Sequence, residues 1–201
     1  MKPKYAGYEA KKHSSFIELP PSGAYIGKIL NVKVENSYDK THDQIVLMLD
    51  ITEGEYKGRY MEVYNDQKER FPDCKYRGVF RITVPENEEP PEKAWIRKKF
   101  EENMWAVEQS NEGYAFDWDE NKLKDKKVGF SVRKRLYTGR DRDGNPVDRE
   151  TFEICQLESI EEVKDGKVKP MPVRDTRTVK TETDDSFSGG TDVTGSVEVP
   201  F

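Results

Sequence analysis

Cysteine and histidine are nearly absent from this 201-residue chain, with two of each. Cys74 and Cys155 supply neither a disulfide framework nor a zinc cluster, and such sparse use suits a reducing cytoplasm. His13 and His42 have no Cys or carboxylate at metal-ligand spacing, so no metal or other cofactor is expected. Long hydrophobic runs are missing too. No segment nears the roughly 18 apolar residues of a membrane span, and no apolar stretch follows the first lysines, which speaks against a secretory signal. G-x-S-x-G, Walker and G-x-G-x-x-G patterns are absent, and catalysis has no motif to support it. Hydrophobic residues make up 34% against 36% charged. That is too little to fill a core of full length, and predicts a domain of about 150 residues with solvated appendages.

Charge is abundant but unevenly placed. The net of -5 hides a division. From Asp175 onward there are six acids and two bases, leaving 32 bases and 33 acids in residues 1–174. A nearly neutral body with local basic clusters remains compatible with a polyanionic partner, whatever the overall pI.

Residues 1–21 are polar with scattered aromatics and read as an irregular arm ending in Pro20-Pro21. Gly23–Val34 alternates as a strand, and Gly27 within it suggests a bulge that changes the inward face. Gln44–Glu53 alternates cleanly, with Ile45, Leu47, Leu49 and Ile51 in one phase. Arg59–Tyr64 reads as a third strand after the turn Glu53–Gly58, and Tyr76–Val84 as a further short one. Glu92–Ser110 has helical spacing at Trp95, Phe100, Met104 and Val107. Lys126–Tyr137 and Glu150–Ile160 read as strands joined by hairpin chemistry at Asp143-Gly144. Beyond Pro172 periodicity vanishes, predicting a disordered acidic tail over 173–201 after a domain over 22–172. Strands 1–3, a helix, then two strands is the order of a five-stranded OB-fold barrel, so a mainly β fold with one helix between strands 3 and 4 is expected.

Single-stranded nucleic acid is held by cations on its phosphates and aromatic faces under its bases. Those two residue types are interleaved where such a barrel would expose them. Arg133, Arg135 and Tyr137 share one face of the fourth strand, and Arg140 and Arg142 follow in its hairpin. Residues 133–142 hold five cations and one aromatic. Tyr38 and Lys40 occupy the first hairpin loop, Arg59, Tyr60 and Tyr64 the expected third strand, and Arg77, Phe80 and Arg81 the next segment. At the C-terminus, Asp184 and Asp185 precede a Ser/Gly/Thr spacer and the ending Glu198-Val199-Pro200-Phe201. An acidic segment closing on an apolar Val-Pro-Phe suits a shallow apolar pocket rimmed by Arg or Lys on a partner.

That ending is similar to the acidic tip of bacterial and phage single-stranded DNA-binding proteins, which typically close on Asp-Asp-Asp-Ile-Pro-Phe. The body resembles a phage and prophage family first described as a domain of unknown function and found beside replication and recombination genes. The resemblance runs over about residues 19–172. It is carried by Leu19-Pro20-Pro21-Ser22-Gly23-Ala24-Tyr25, Lys28-Ile29, the stretch Leu49–Gly58, Ser110-Asn111-Glu112-Gly113-Tyr114 and Leu123–Gly129. It implies an OB-fold binder of single-stranded DNA in the bacterial host cytoplasm, serving phage replication or recombination.

The expectation is therefore a non-enzymatic protein that coats single-stranded DNA and recruits replication or recombination enzymes through its tail, with edge strands that leave room for a homo-oligomer. Two rivals stand beside it. One is a protein-binding adaptor built on the same barrel. The other is a metal-dependent nuclease using Asp39, Asp43 and Asp50.

Overall fold

A computed structural model of the chain describes residues 17–177 except 39, 89 and 142. Among the described residues there are six strands: β1 (Gly23–Asn36), β2 (Asp43–Ile51), β3 (Val79–Thr83), β4 (Lys127–Arg140), β5 (Pro146–Glu158) and β6 (Arg174–Thr176). Three α-helices accompany them: α1 (Arg59–Arg70), α2 (Ala94–Gln109) and α3 (Ile160–Lys164). The fold is mainly β. The spatial order is β3-β2-β1-β4-β5, every neighbour antiparallel, with β6 added parallel to β4. Among the described residues no ladder joins β3 to β5, so the sheet is open. No helix among them is long and apolar enough to cross a membrane.

The core follows from the alternation of β2. Ile45, Leu47, Leu49 and Ile51 are buried and meet Ile29 of β1, Ile82 of β3, Val128 and Phe130 of β4, and Ile154 and Leu157 of β5. On β1 the inward phase changes, but at a register shift between Ile29 and Asn31 rather than at Gly27. Gly27 serves another purpose. A Cβ there would stand 2.4 Å from the Asp50 carbonyl oxygen and 2.5 Å from the Phe130 ring, so only glycine lets β1 lie so close to both.

The expected third strand over Arg59–Tyr64 is instead the start of α1, and the third strand is Val79–Thr83. Tyr60 and Val63, three residues apart, are the buried pair, which is helical spacing. What starts the helix is remote in sequence. Gly58 takes a left-handed φ of 73° and offers no side-chain cap. The Asp50 carboxylate of β2 accepts hydrogen bonds from the Tyr60 and Met61 amides at 3.1 and 3.3 Å, and from the Ile51 amide at 2.8 Å. A buried acceptor thus satisfies donors that every helix leaves open at its N-terminus. Burial pushes the Asp50 carboxyl above its ordinary range, with the three amides pulling the other way.

α2 lies between β3 and β4, as expected, but its buried face begins one residue later than its spacing predicts. Ile96, Phe100, Met104 and Val107 face the core, while Trp95 is exposed. Polar clamps fix the helix to the sheet. Asn103 Oδ1 accepts from the Leu157 amide at 3.3 Å, and Asn111 Nδ2 donates to the Lys127 carbonyl at 2.7 Å.

Described residues reach past the expected 22–172 at both ends. Leu19 packs on the core and the Tyr25 hydroxyl donates to the Pro21 carbonyl at 2.9 Å. Past Pro172, β6 pairs Arg174, Asp175 and Thr176 with Arg135, Leu136 and Tyr137. The expected strand end at Ile160 is a short helix, started by a Ser159/Glu162 capping box.

Candidate nucleic-acid interface

The end strands β3 and β5 flank a groove of about 720 Å³, to which β1, β2, β4 and β6 also contribute. Seven cations line it: Lys33, Lys75, Arg77, Arg81, Arg133, Arg135 and Arg174. Three half-buried rings lie among them, Tyr76, Phe80 and Phe152. Among the described residues, Glu153 is the one acid in the lining. The pairing of β4 with β5 sets Glu153 opposite Arg133. Its carboxylate receives Arg133 at 2.8 Å, Arg174 at 3.5 Å and Arg135 at 3.7 Å. One negative charge cannot balance three guanidiniums, so this end stays positive while the acid holds the fans of donors in place.

At the other side Glu35 of β1 takes Lys33 at 2.6 Å and Arg81 at 3.2 Å. The Lys33 hydrogen bond, with that of Arg81, holds the Glu35 carboxyl below the usual carboxylate range. Subtracting Glu153 and Glu35 from the seven cations leaves the groove with five net positive charges. The rings are fixed by packing. Tyr76 donates its hydroxyl to the Leu49 carbonyl at 2.8 Å, and Phe80 and Phe152 rest against the core. Cys155 also lines the groove, and burial pushes its thiol up to about 11. It is a neutral, inert wall at physiological pH.

Of the residues singled out in the sequence, the fold brings Arg77, Phe80, Arg81, Arg133 and Arg135 into this groove. Tyr137 sits one step along β4 from them, with the Arg135 guanidinium 5.7 Å over its ring. Arg140 is exposed at the end of β4, its carbonyl accepting from Arg149 at 2.7 Å.

One assignment is corrected, and the others fall outside the groove lining or outside the described residues. Tyr60 is 0% exposed, sealed among Tyr76 and Phe130, and no base can reach it. Among the described residues its hydroxyl has no hydrogen-bond partner. Tyr64 stands on α1, edge-on to Tyr76 at 5.7 Å, with Lys68 over its ring. Arg59 lies over Tyr56 and pairs with Glu62 at 3.3 Å, also outside the groove lining. Tyr38, 82% exposed, and Lys40 belong to the β1–β2 loop, and Lys40 lines a separate shallow depression with His42 and Glu86. Arg142, the tail residues Asp184, Asp185, Glu198, Val199, Pro200 and Phe201, and His13 lie outside the described residues.

Sequence reading missed Lys33, Lys75, Tyr76, Phe152 and Arg174. One signal was available: Lys75-Tyr76-Arg77 interleaves cation, ring and cation as a single-strand platform does. The carboxylates imagined for a metal do other work. Asp50 is buried as the cap of α1, and Asp43 accepts from Asn36 Nδ2 at 2.8 Å, while Asp39 lies outside the described residues. Among the described residues no three His, Cys, Asp or Glu side chains converge as a metal site. In comparisons with known proteins, the chain matches no family model and no curated sequence.

Proposed function

We propose that this chain is a single-stranded DNA-binding protein of the OB-fold type, serving phage replication or recombination. The observation that carries the reading is the groove, where seven cations surround three rings on one continuous surface. Cations there neutralise phosphates, and Tyr76, Phe80 and Phe152 offer faces or edges to unpaired bases. The strand order β3-β2-β1-β4-β5, with α2 between β3 and β4 and with β3 and β5 on one groove, supports the OB-fold assignment. Rings held at half burial favour a sequence-tolerant platform, because every base has a π face and no fixed donor pattern is required. β6 carries Arg174 into the groove and ends at Thr176, so the segment expected to recruit replication or recombination enzymes starts at its rim.

Binding to labelled oligo-dT, followed by anisotropy in rising salt, tests this reading. Five net charges predict a slope of log K on log[salt] of about -3.5, or roughly 100-fold weaker binding from ~50 to ~200 mM. The oligonucleotide stays uncut with or without Mg²⁺. A flat titration would contradict DNA coating, and metal-dependent cutting would favour a nuclease.

A further inference from the structure

A second, smaller depression opens beside the groove, between β3, α2 and β5, with a volume of about 200 Å³. It shares Phe80, Arg81 and Cys155 with the groove, so the two adjoin. Trp95, Ile96, Lys99 and Phe100 of α2 supply its other wall. Its size is below the roughly 300–1,000 Å³ of a small-molecule pocket and suits a single flat ring.

Trp95 is the unusual member. It is 59% exposed although its helical neighbours Ile96 and Phe100 are buried, leaving a large apolar ring in water at the lip of the depression. Among the described residues no other ring packs on it, whereas Trp118 further on is stacked on Phe100 at 5.4 Å and 12°. Arg81, Lys99 and one acid, Glu102, line the same depression, and Lys99 pairs with Glu102 at 2.8 Å, which leaves one net positive charge there. An exposed ring with net positive charge, adjoining a positively charged groove, matches a polyanion bearing flat apolar groups and not a neutral apolar peptide.

We propose that this depression is a base-accepting subsite, in which Trp95 stacks on one base of a single strand running on from the groove. The inference rests on the DNA-binding reading and extends it, placing one end of the strand's path on α2, outside the β-sheet. Arg81, common to both cavities, contacts the phosphate at the junction.

The test uses the full chain, labelled oligo-dT, and the variants Trp95→Ala and Trp95→Phe. Trp95→Ala weakens binding about 10-fold. The salt slope is unchanged, because an indole releases no counterions. Trp95→Phe recovers most of the affinity yet loses a large part of the DNA-induced tryptophan quenching. Thermal melts of both variants match the parent, as an exposed ring predicts. Parent-like affinity in Trp95→Ala, with DNA binding intact in the parent, overturns the subsite and leaves the groove standing. A weakened Trp95→Ala that Trp95→Phe does not rescue also overturns it, since stacking requires only a flat ring. Absence of DNA binding in the parent removes the groove reading, and the subsite with it.

Discussion

Replacing Arg77, Arg81, Arg133 and Arg135 together by Ala weakens oligo-dT binding by at least about 100-fold at ~100 mM salt and flattens the salt slope by about 3. Each of the four lines the groove, and each is lost as a phosphate contact without loss of core. Their ion pairs with Glu35 and Glu153 are at least partly solvated, and such pairs contribute about 1 kcal/mol or less, so the protein stays folded. The opposite substitution gives the opposite sign. Glu153→Gln removes the carboxylate on which Arg133, Arg135 and Arg174 converge, frees three guanidiniums for phosphate, and tightens binding. A purely structural role for this cluster predicts weaker or unchanged binding in both variants. Anisotropy titrations of the two proteins side by side separate these outcomes, because only a phosphate-binding role moves them in opposite directions.

The second large effect concerns stability. Asp50→Ala removes the acceptor for three amides, two of them in the first turn of α1. Buried donors left without partners cost about 1–3 kcal/mol each, so a loss of roughly 3 kcal/mol is expected even after partial rehydration. Asp50→Asn keeps one carbonyl oxygen and turns an NH₂ toward the remaining donors, and loses about half as much. Urea melts measure both. Asp50 lies outside the groove lining, so the folded fraction binds DNA as the parent does. A change below about 0.5 kcal/mol in Asp50→Ala would mean that α1 is held by its packing alone.

Asp50 also explains why part of this fold was hidden in the sequence. β2 was legible because its alternation is local and one face meets the core. α1 was not. Tyr60, Glu62 and Tyr64 alternate like a strand, and the cap that makes the segment helical lies ten residues away on another element. At α3 the failure was different, since the Ser159/Glu162 box is written in the sequence and a strand reading of Ile160 passed over it. The site divides the same way. Arg133 and Arg135 could be placed together because strand periodicity puts them on one face. Phe152 joins them through the β4–β5 hairpin and Arg174 through the pairing of β6 with β4, whereas Lys75 meets them only because β3 comes to face β5, a non-local outcome that no spacing encodes. Residue type alone also cannot separate a stacking ring from a core ring. Tyr60 and Tyr76 look alike in sequence, yet one is sealed in the interior and the other lines the groove.

The β3–β5 groove as the seat of single-stranded DNA is tested most directly by photocrosslinking an oligo-dT that carries photoreactive thymines, followed by peptide mapping. The account predicts adducts on the segments bearing Tyr76, Phe80 and Phe152, lost when excess unlabelled oligo-dT is added. Adducts confined to α1 or to the β1–β2 loop around Tyr38, with none on those segments, would contradict it.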